Sequence, residues 1–324
     1  MAASLLRVNR QLVIQTEHLD AAPAAWLSER CELVRKGADE HGFSELLARA
    51  DGLVIRTYTT VDGQMLAGAP QLKVVGRAGV GLDNVDLAAC AARGVTVCNT
   101  PDANSTAVVE YVLALMLDAL RPRVGVGAVS AAEWKRLRAE NQAARQLSEM
   151  TLGIWGMGRI GTRVARVAAS LGMRVLYSDL LEIPAERRWG AEPVSAAELC
   201  ARADVLTVHV DGRRSNRRLV GAAAFAGMKK DVLLINAARG FIVDAAALAA
   251  FLRGNSAARA VLDVHEPEPF PADYPLLGLP NARLLPHLAS CTATAQANMS
   301  WVVRDVWRVL TGEPPEFPAA PELQ

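Results

Sequence analysis

Short apolar runs alternate with helix-like stretches along almost the whole chain of 324 residues. The apolar runs predict strands, and the stretches between them carry apolar residues at the spacing of amphipathic helices. Strands that alternate with helices in this way are typical of α/β proteins with parallel sheets. The predicted strands are QLVIQT, CELVRK, GLVIRT, LKVVGR and GVTVCN in the first hundred residues, and TLGIW, RVLYS, VLTVHV, VLLINA, AVLDV and ARLLP in the second half of the chain.

Two helices are predicted outside this alternation. A nearly all-apolar helix runs from about Ser105 to Leu120, and Asn104 or Ser105 is a plausible N-cap. A single helix is predicted over roughly 292–310, because its valine, methionine and leucine residues recur every three or four positions. The Pro- and Glu-rich residues that follow predict a surface tail.

Composition narrows the class of protein. The net charge is +1, so no global field attracts nucleic acid or an anionic membrane. No apolar stretch is long enough for a transmembrane helix, and the start of the chain lacks the apolar core of a signal peptide. The five cysteines form no CxxC pair, which predicts reduced thiols in a cytoplasmic protein. Cys291 is predicted to be a small buried helix residue.

A glycine-rich turn follows the strand TLGIW. Gly156, Gly158 and Gly161 form the pattern G-x-G-x-x-G, a helix follows, and the next strand ends at Asp179. The first glycine permits a tight turn, the second lets the backbone approach a pyrophosphate, and the third allows close packing of helix on sheet. Asp179 can accept hydrogen bonds from ribose hydroxyls and would repel a 2′-phosphate, which predicts NAD rather than NADP. Leu180 follows, where an NADP enzyme often has an arginine.

Three charged side chains come directly after later strands: Arg239, Glu268 and His287. In an open parallel sheet, ligands bind beyond the carboxyl ends of the strands. Arginine suits bidentate binding of a carboxylate, and imidazole titrates near neutrality, which suits proton transfer. The residues alone leave two alternatives open. His265 instead of His287 could be the group that accepts the proton, and Glu266 instead of Glu268 could be the carboxylate beside it.

The runs LGIWGMGRIG, LLINAARG, VLDVHEPEP and PHLASCTATAQ resemble the D-isomer-specific 2-hydroxyacid dehydrogenase family, and the similarity covers nearly the whole chain. The resemblance implies two doubly wound parallel-sheet domains. A Rossmann-type NAD-binding domain, residues 104–290, would be inserted into a flavodoxin-like substrate domain made of residues 1–103 and 291–324. It also implies a cleft between the domains that closes over a small 2-hydroxy or 2-keto acid, and a homodimer or homotetramer assembled through the nucleotide domain.

The resemblance also assigns roles to residues. The family's catalytic arginine, glutamate and histidine match Arg239, Glu268 and His287, and the glutamate stands five residues after Asp263, which favours Glu268 over Glu266. Asp263 would hold the nicotinamide carboxamide, and residues 287–290 would lie near that ring. Besides the three glycines, the implied cofactor contacts are Arg159, Ile160, Asp179, Val210, Ala237, Ala238, Asp263 and Ala289.

Within the family, the N-terminal segments GLVIRTYTTVD, LKVVGRAGVGLDNVDL and CNTPDANSTAVVE are most similar to the phosphoglycerate dehydrogenases. Arg56 and Arg77 lie at strand ends and suit a phosphorylated substrate, with Gly79 and Val80 beside them. Arg77 could instead form a salt bridge between domains. Val80 stands where some relatives have threonine, and Ala289 stands where glycine is common.

Two further features bear on the substrate. The stretch HVDGRRSNRRLV brings extra positive charge near the predicted cofactor site, where relatives more often have HxPLTPET. The chain is expected to lack the C-terminal regulatory domain of long phosphoglycerate dehydrogenases. The nearest alternative is a glyoxylate or hydroxypyruvate reductase acting on a nonphosphorylated acid. A protein of another class, a dinucleotide-sensing binding protein similar to the corepressors built on this fold, also stays open.

Overall fold

The computed structural model describes residues 10–121 and 123–319, which form two compact units. Unit 1 contains the described residues up to Asn104 and those from Ser290 onward, and unit 2 contains those from Ser105 to Ala289. Unit 2 is therefore inserted between the two segments of unit 1. No helix in the described ranges is long and apolar enough to cross a membrane.

The elements follow one another as strands and helices, as the sequence pattern predicts. The strands are β1 Leu12–Gln15, β2 Glu32–Arg35, β3 Gly52–Ile55, β4 Val74–Arg77, β5 Thr96–Cys98, β6 Thr151–Trp155, β7 Arg174–Ser178, β8 Glu192–Pro193, β9 Val205–Val208, β10 Leu233–Asn236, β11 Arg259–Leu262 and β12 Ala282–Leu284. The α-helices are α1 Ala21–Ser28, α2 Phe43–Leu47, α3 Gly63–Ala67, α4 Leu87–Ala92, α5 Ser105–Leu120, α6 Ala131–Glu140, α7 Arg159–Ser170, α8 Ala196–Arg202, α9 Ala222–Gly227, α10 Ala245–Gly254, α11 Ala293–Ser300 and α12 Val303–Leu310.

Unit 1 contains a sheet of five parallel strands in the order β2-β1-β3-β4-β5, the flavodoxin-like order. Strands β1 and β3 are buried along their whole length, because helices cover both faces of a parallel sheet. Helix α12 lies directly on β4: a Cβ at Gly76 would come within 2.4 Å of the Val306 side chain. The last helix of the chain thus belongs to the core of unit 1.

Unit 2 contains seven parallel strands in the order β12-β11-β10-β9-β6-β7-β8. From β6, the strands that follow in sequence are added first on one side, as β7 and β8, and then on the other, beginning with β9, as in a Rossmann fold. The carboxyl ends of β6 and β9 therefore lie at the switch point where such folds bind ligands. Separate apolar clusters cover the two faces of the sheet. Helix α5 has the predicted bounds, and its buried residues include Val112 and Met116. The predicted fold class is confirmed.

The structure differs from the sequence prediction near the C-terminus. The helix expected over 292–310 is two helices, because Trp301 and Val302 donate to residues three rather than four positions back. Ser300 precedes this break and donates from its hydroxyl to the Gln296 carbonyl, a bond that bends helices. The prediction for Cys291 is also wrong, since the residue is exposed and precedes the N-cap residue Thr292.

Candidate active site

The glycine turn after β6 has the geometry of a phosphate-binding loop. Gly156 has φ +98°, and a Cβ there would lie 2.7 Å from backbone atoms of His209 and Val210. A Cβ at Gly161 would lie 2.2 Å from the Gly156 carbonyl oxygen, so α7 packs against the turn itself. No atom lies within 4 Å of a Cβ built on Gly158, the N-cap residue of α7. The backbone there is open to a phosphate group, which the N-terminus of a helix attracts.

Asp179 follows β7 and faces the same turn. Its Oδ2 accepts a hydrogen bond from the Met157 N–H at 2.6 Å, and its Oδ1 accepts one from the Leu181 N–H at 2.9 Å. A cavity of about 350 Å³ adjoins the carboxylate and is also lined by Tyr177 and Pro193. An open glycine turn and a carboxylate beside a cavity fit the phosphate groups and the adenosine part of an adenine dinucleotide.

The remaining predicted cofactor residues border this region. Arg159 is exposed and Ile160 is half-buried at the start of α7. Val210 follows β9, Ala237 and Ala238 follow β10, and all three are half-buried. His209 is the first residue after β9, and its Nδ1 is buried. Because burial strongly disfavours the charged form of the ring, the pKa of His209 falls to about 3.

The arginine-rich stretch after β9 is largely compensated by acids of the same unit. The ion pairs are Arg213–Asp211 at 2.5 Å, Arg217–Glu266 at 2.7 Å and Arg218–Asp244 at 3.7 Å. Arg213 also interacts electrostatically with Asp179. The extra positive charge expected from the sequence is therefore reduced by these acids. Among the described residues, no group of three or more potential ligands could hold a metal ion.

Arg239 lies in the turn that follows β10. A buried side-chain amide fixes this turn. The Asn236 side chain is fully buried, accepts the Ala238 N–H at 3.0 Å and donates to the Arg239 carbonyl at 2.9 Å. The next residue, Gly240, touches the loop after β11, since a Cβ there would lie 2.0 Å from the His265 carbonyl. Only glycine lets these two segments approach so closely.

His287 and Glu268 form a hydrogen-bonded pair. His287 Nδ1 lies 2.8 Å from Glu268 Oε2, and Glu268 Oε1 accepts the His265 backbone N–H at 2.7 Å. Burial alone would raise the pKa of Glu268, but these two hydrogen bonds outweigh it and the pKa is lowered. An ionised Glu268 holds the proton of the neutral ring on Nδ1, which puts the lone pair on Nε2. The pair can therefore accept a proton and stabilise the resulting imidazolium.

The backbone of His287 is held in an unusual conformation. Its φ is +57°, a left-handed value that costs a residue other than glycine about 1–2 kcal/mol. The buried residue Asp263 fixes this segment, because its carbonyl accepts the His287 N–H at 2.9 Å and its carboxylate accepts the Leu288 and Ala289 N–H groups at 2.8 Å each. Burial raises the pKa of Asp263. Asp263 thus shapes the loop, and its contact with a nicotinamide stays a prediction.

The two alternative residues lie in different surroundings. His265 is only 7% exposed, meets the rings of Phe270 and Tyr274 edge-on, and shares a hydrogen bond of 2.8 Å between its Nε2 and the Leu285 carbonyl. Glu266 points to Arg217 instead of to a histidine. The geometry therefore favours His287 and Glu268 as the coupled pair.

In unit 1, Glu17 fixes the loop that carries Arg56. The Glu17 carboxylate accepts hydrogen bonds from the backbone N–H groups of residues 56–59 at 2.9 to 3.2 Å. Although burial opposes ionisation, these bonds lower the pKa of Glu17. The Arg56 guanidinium hydrogen-bonds the side chain of Gln296 and, at 3.4 Å, the His18 carbonyl. The sequence prediction missed Glu17, although its place two residues after the end of β1 was a usable signal.

Arg77 is the last residue of β4 and is half-buried. Its guanidinium lies over Gly79, where a Cβ would overlap Nη1, and Gly79 has φ +151°. The Val80 carbonyl accepts a hydrogen bond of 2.8 Å from the Asn99 side chain. Glycine at position 79 thus leaves room for the Arg77 side chain, and Asn99 holds the backbone of Val80.

Known proteins share this architecture. Residues 113–289 match the family model for the NAD-binding domain of D-isomer-specific 2-hydroxyacid dehydrogenases. A D-3-phosphoglycerate dehydrogenase of Mycobacterium tuberculosis is 39% identical over 93% of this chain and 57% of its own length. An (S)-sulfolactate dehydrogenase of Chromohalobacter salexigens is 36% identical over 90% of this chain and 96% of its own.

A solved structure also covers both units. The glyoxylate reductase from Paecilomyes thermophila has a TM-score of 0.83 and 27% identity over 97% of this chain and 99% of its own. The chain spans 53% to 57% of the length of the D-3-phosphoglycerate dehydrogenases it matches. The family resemblance seen in the sequence is confirmed, and the chain belongs to the D-isomer-specific 2-hydroxyacid dehydrogenase family.

Proposed function

We propose that this protein is an NAD-dependent dehydrogenase of a D-2-hydroxy acid, with Arg239, Glu268 and His287 as catalytic residues. The observation that carries the proposal is the bond of 2.8 Å between His287 and an ionised Glu268, in the same unit as an open glycine turn. A base held in one tautomer is what oxidation of an alcohol requires. When bound, NAD supplies the acceptor for the hydride.

Each residue of the trio has a separate task. His287 Nε2 accepts the hydroxyl proton of the substrate, and the charge of Glu268 stabilises the imidazolium that forms. The planar guanidinium of Arg239 binds the substrate carboxylate and orients the carbon that is oxidised. In the reverse direction the imidazolium returns the proton to the 2-keto oxygen.

We infer that 3-phosphoglycerate is the substrate and 3-phosphohydroxypyruvate the product. Unit 1 presents Arg56 and Arg77 at the carboxyl ends of neighbouring strands, and arginine suits a phosphate group. The Mycobacterium relative named for this substrate supports the inference. The alternative, reduction of glyoxylate or hydroxypyruvate, is supported by the glyoxylate reductase with the same fold.

A substrate screen distinguishes these proposals. Steady-state rates with NAD are measured for 3-phosphoglycerate, D-glycerate and D-lactate, and rates with NADH for hydroxypyruvate and glyoxylate. We expect the highest kcat/KM with 3-phosphoglycerate among the hydroxy acids. A preference for hydroxypyruvate or glyoxylate would favour the reductase. Tight NAD binding without turnover of any acid would favour a dinucleotide-sensing protein.

The Arg77→Ala variant tests the role of unit 1. Loss of a charged hydrogen-bond donor is expected to raise the KM for 3-phosphoglycerate about tenfold or more. The KM for D-lactate, which has no distal anion, should change less than about twofold. Steady-state kinetics with both acids measure the difference, and an unaltered KM for 3-phosphoglycerate would exclude this role.

The Asp179→Asn variant tests cofactor choice. The amide oxygen can still accept a backbone N–H, but the charge that repels a 2′-phosphate is lost. The ratio of kcat/KM for NAD to that for NADP is expected to fall about tenfold or more. Glu182→Gln, which removes an exposed carboxylate of the same cavity, is the matched control. Equal efficiency of the unaltered protein with both cofactors would contradict the assignment.

We also propose a homodimer formed through unit 2, in keeping with the family, and a cytoplasmic location. Helix α6 has no buried residue, and Trp134 in it is 50% exposed, as is Val124 before it. Apolar side chains in an exposed helical segment are typical of an interface. Light scattering should give at least twice the monomer mass, and Trp134→Glu is expected to shift it toward the monomer. A monomeric unaltered protein would exclude the dimer.

A further inference from the structure

We propose that His265 is a positioning residue that holds Glu268 and His287 in register through two hydrogen bonds, one from its backbone and one from its ring. The inference deepens the proposed function and rests on it. His265 itself is buried and is not placed to contact a substrate. Its two bonds reach Glu268 itself and the Leu285 carbonyl, two residues before His287.

The backbone bond acts on the carboxylate. The His265 N–H donates to Glu268 Oε1 at 2.7 Å, and the other carboxylate oxygen, Oε2, lies 2.8 Å from His287 Nδ1. Each carboxylate oxygen is therefore directed by a different histidine. Because the first bond comes from the main chain, the position of Glu268 depends on where the backbone of His265 lies.

The ring bond acts on the segment that carries His287. In the neutral tautomer with the proton on Nε2, the His265 ring donates to the Leu285 carbonyl at 2.8 Å. Pro286 lies between Leu285 and His287 and has no N–H to donate. Three hydrogen bonds consequently anchor the segment. The Leu285 N–H donates to the Leu262 carbonyl, and the His287 N–H donates to the Asp263 carbonyl. The His265 ring donates to the Leu285 carbonyl. These bonds oppose relaxation of the left-handed φ of His287.

The surroundings of the ring indicate that His265 does more than fill space in the core. The edges and faces of Phe270 and Tyr274 enclose it, and its buried Nδ1 has no hydrogen-bond partner among the described residues. An apolar ring would suit this pocket without an unsatisfied nitrogen. The bond to the Leu285 carbonyl is what such a ring could not make.

The His265→Phe variant separates the packing of the ring from its hydrogen bond to the Leu285 carbonyl. The phenyl ring keeps the edge-on contacts with Phe270 and Tyr274, so the melting temperature is expected to stay the same or rise. The kcat with the best acid is expected to fall about tenfold, while the KM for the acid and the Kd for NAD change less than about twofold. His265→Gln restores an N–H donor at the position of Nε2 and should recover most of the kcat. His41→Phe, at an exposed position of unit 1, is the matched control.

A crystal structure of His265→Phe gives a readout that does not depend on turnover. We expect the His287 Nδ1 to Glu268 Oε2 distance to exceed 3.5 Å in the variant. Retention of the contact, or full kcat in His265→Phe, would overturn the positioning role. Absence of turnover in the unaltered protein would instead contradict the proposed function, and the crystallographic comparison would still decide the structural claim.

Discussion

Replacement of His287 by asparagine is expected to lower kcat about 10²–10⁴-fold, the usual contribution of a positioned acid–base group. Asparagine can still donate to Glu268, but it cannot accept the hydroxyl proton of the substrate. The Kd for NAD, measured by fluorescence titration, should stay within about twofold, because Asp179 and His287 have different hydrogen-bond partners and Asp179 keeps its bond to the glycine turn in the variant.

The matched control is His41→Asn, which changes a solvent-exposed histidine of unit 1. Its kcat and KM are expected to equal those of the unaltered protein. Undiminished turnover in His287→Asn would remove His287 from the mechanism. A large loss in His265→Asn alone would then point to His265 as the base.

Replacement of Arg239 by lysine is expected to lower kcat/KM for the hydroxy acid about 10²–10³-fold. Lysine keeps the charge, but it cannot form the paired, parallel hydrogen bonds that a guanidinium makes with a carboxylate. The two lost bonds to a charged group correspond to about 3–4 kcal/mol. Most of the effect should be seen in KM, because the carboxylate is bound before and during the reaction.

The control for this variant is Arg253→Lys, at the exposed C-terminal turn of α10. It removes an exposed guanidinium of the same unit, one that donates to the Pro275 carbonyl. We expect its kinetic constants to be unchanged. An Arg239→Lys variant that binds and turns over the acid normally would show that another group binds the carboxylate.

The fold was readable from the apolar pattern because both sheets are buried on both faces. Each of the eleven predicted strands overlaps an observed one. The strand that was missed, β8, has two residues, one of them Pro193, and lies at the edge of its sheet, where proline is tolerated. The break between α11 and α12 was missed because Ser300 and Trp301 do not interrupt the apolar spacing. Their hydrogen bonds cause the break.

The candidate site was only partly readable. The glycine turn and Asp179 have a fixed spacing that follows from the geometry of the nucleotide fold. Sequence alone could not choose between His287 and His265, since both follow strands that end at the same edge of the sheet. The choice depends on which ring is enclosed by Phe270 and Tyr274, a property of the folded loop.

The hydrogen bonds that shape the site were the least visible part. Asn236 is a polar residue at the end of a buried strand, and only its bonds to the turn of Arg239 explain it. Asp263 fits the family pattern, but its bonds to residues 287–289 appear only when two loops are brought together. Such long-range contacts leave no periodic signal in the sequence.

The central claim is that His287, coupled to Glu268, moves a proton while hydride passes between a D-2-hydroxy acid and NAD. The most direct measurement is the rate of NADH formation with 3-phosphoglycerate for the unaltered protein and for His287→Asn, at equal occupancy by NAD. The account predicts rapid formation in the first and a rate about 10²–10⁴-fold lower in the second. Equal rates in the two proteins, or no NADH formed by the unaltered protein with any D-2-hydroxy acid, would contradict it.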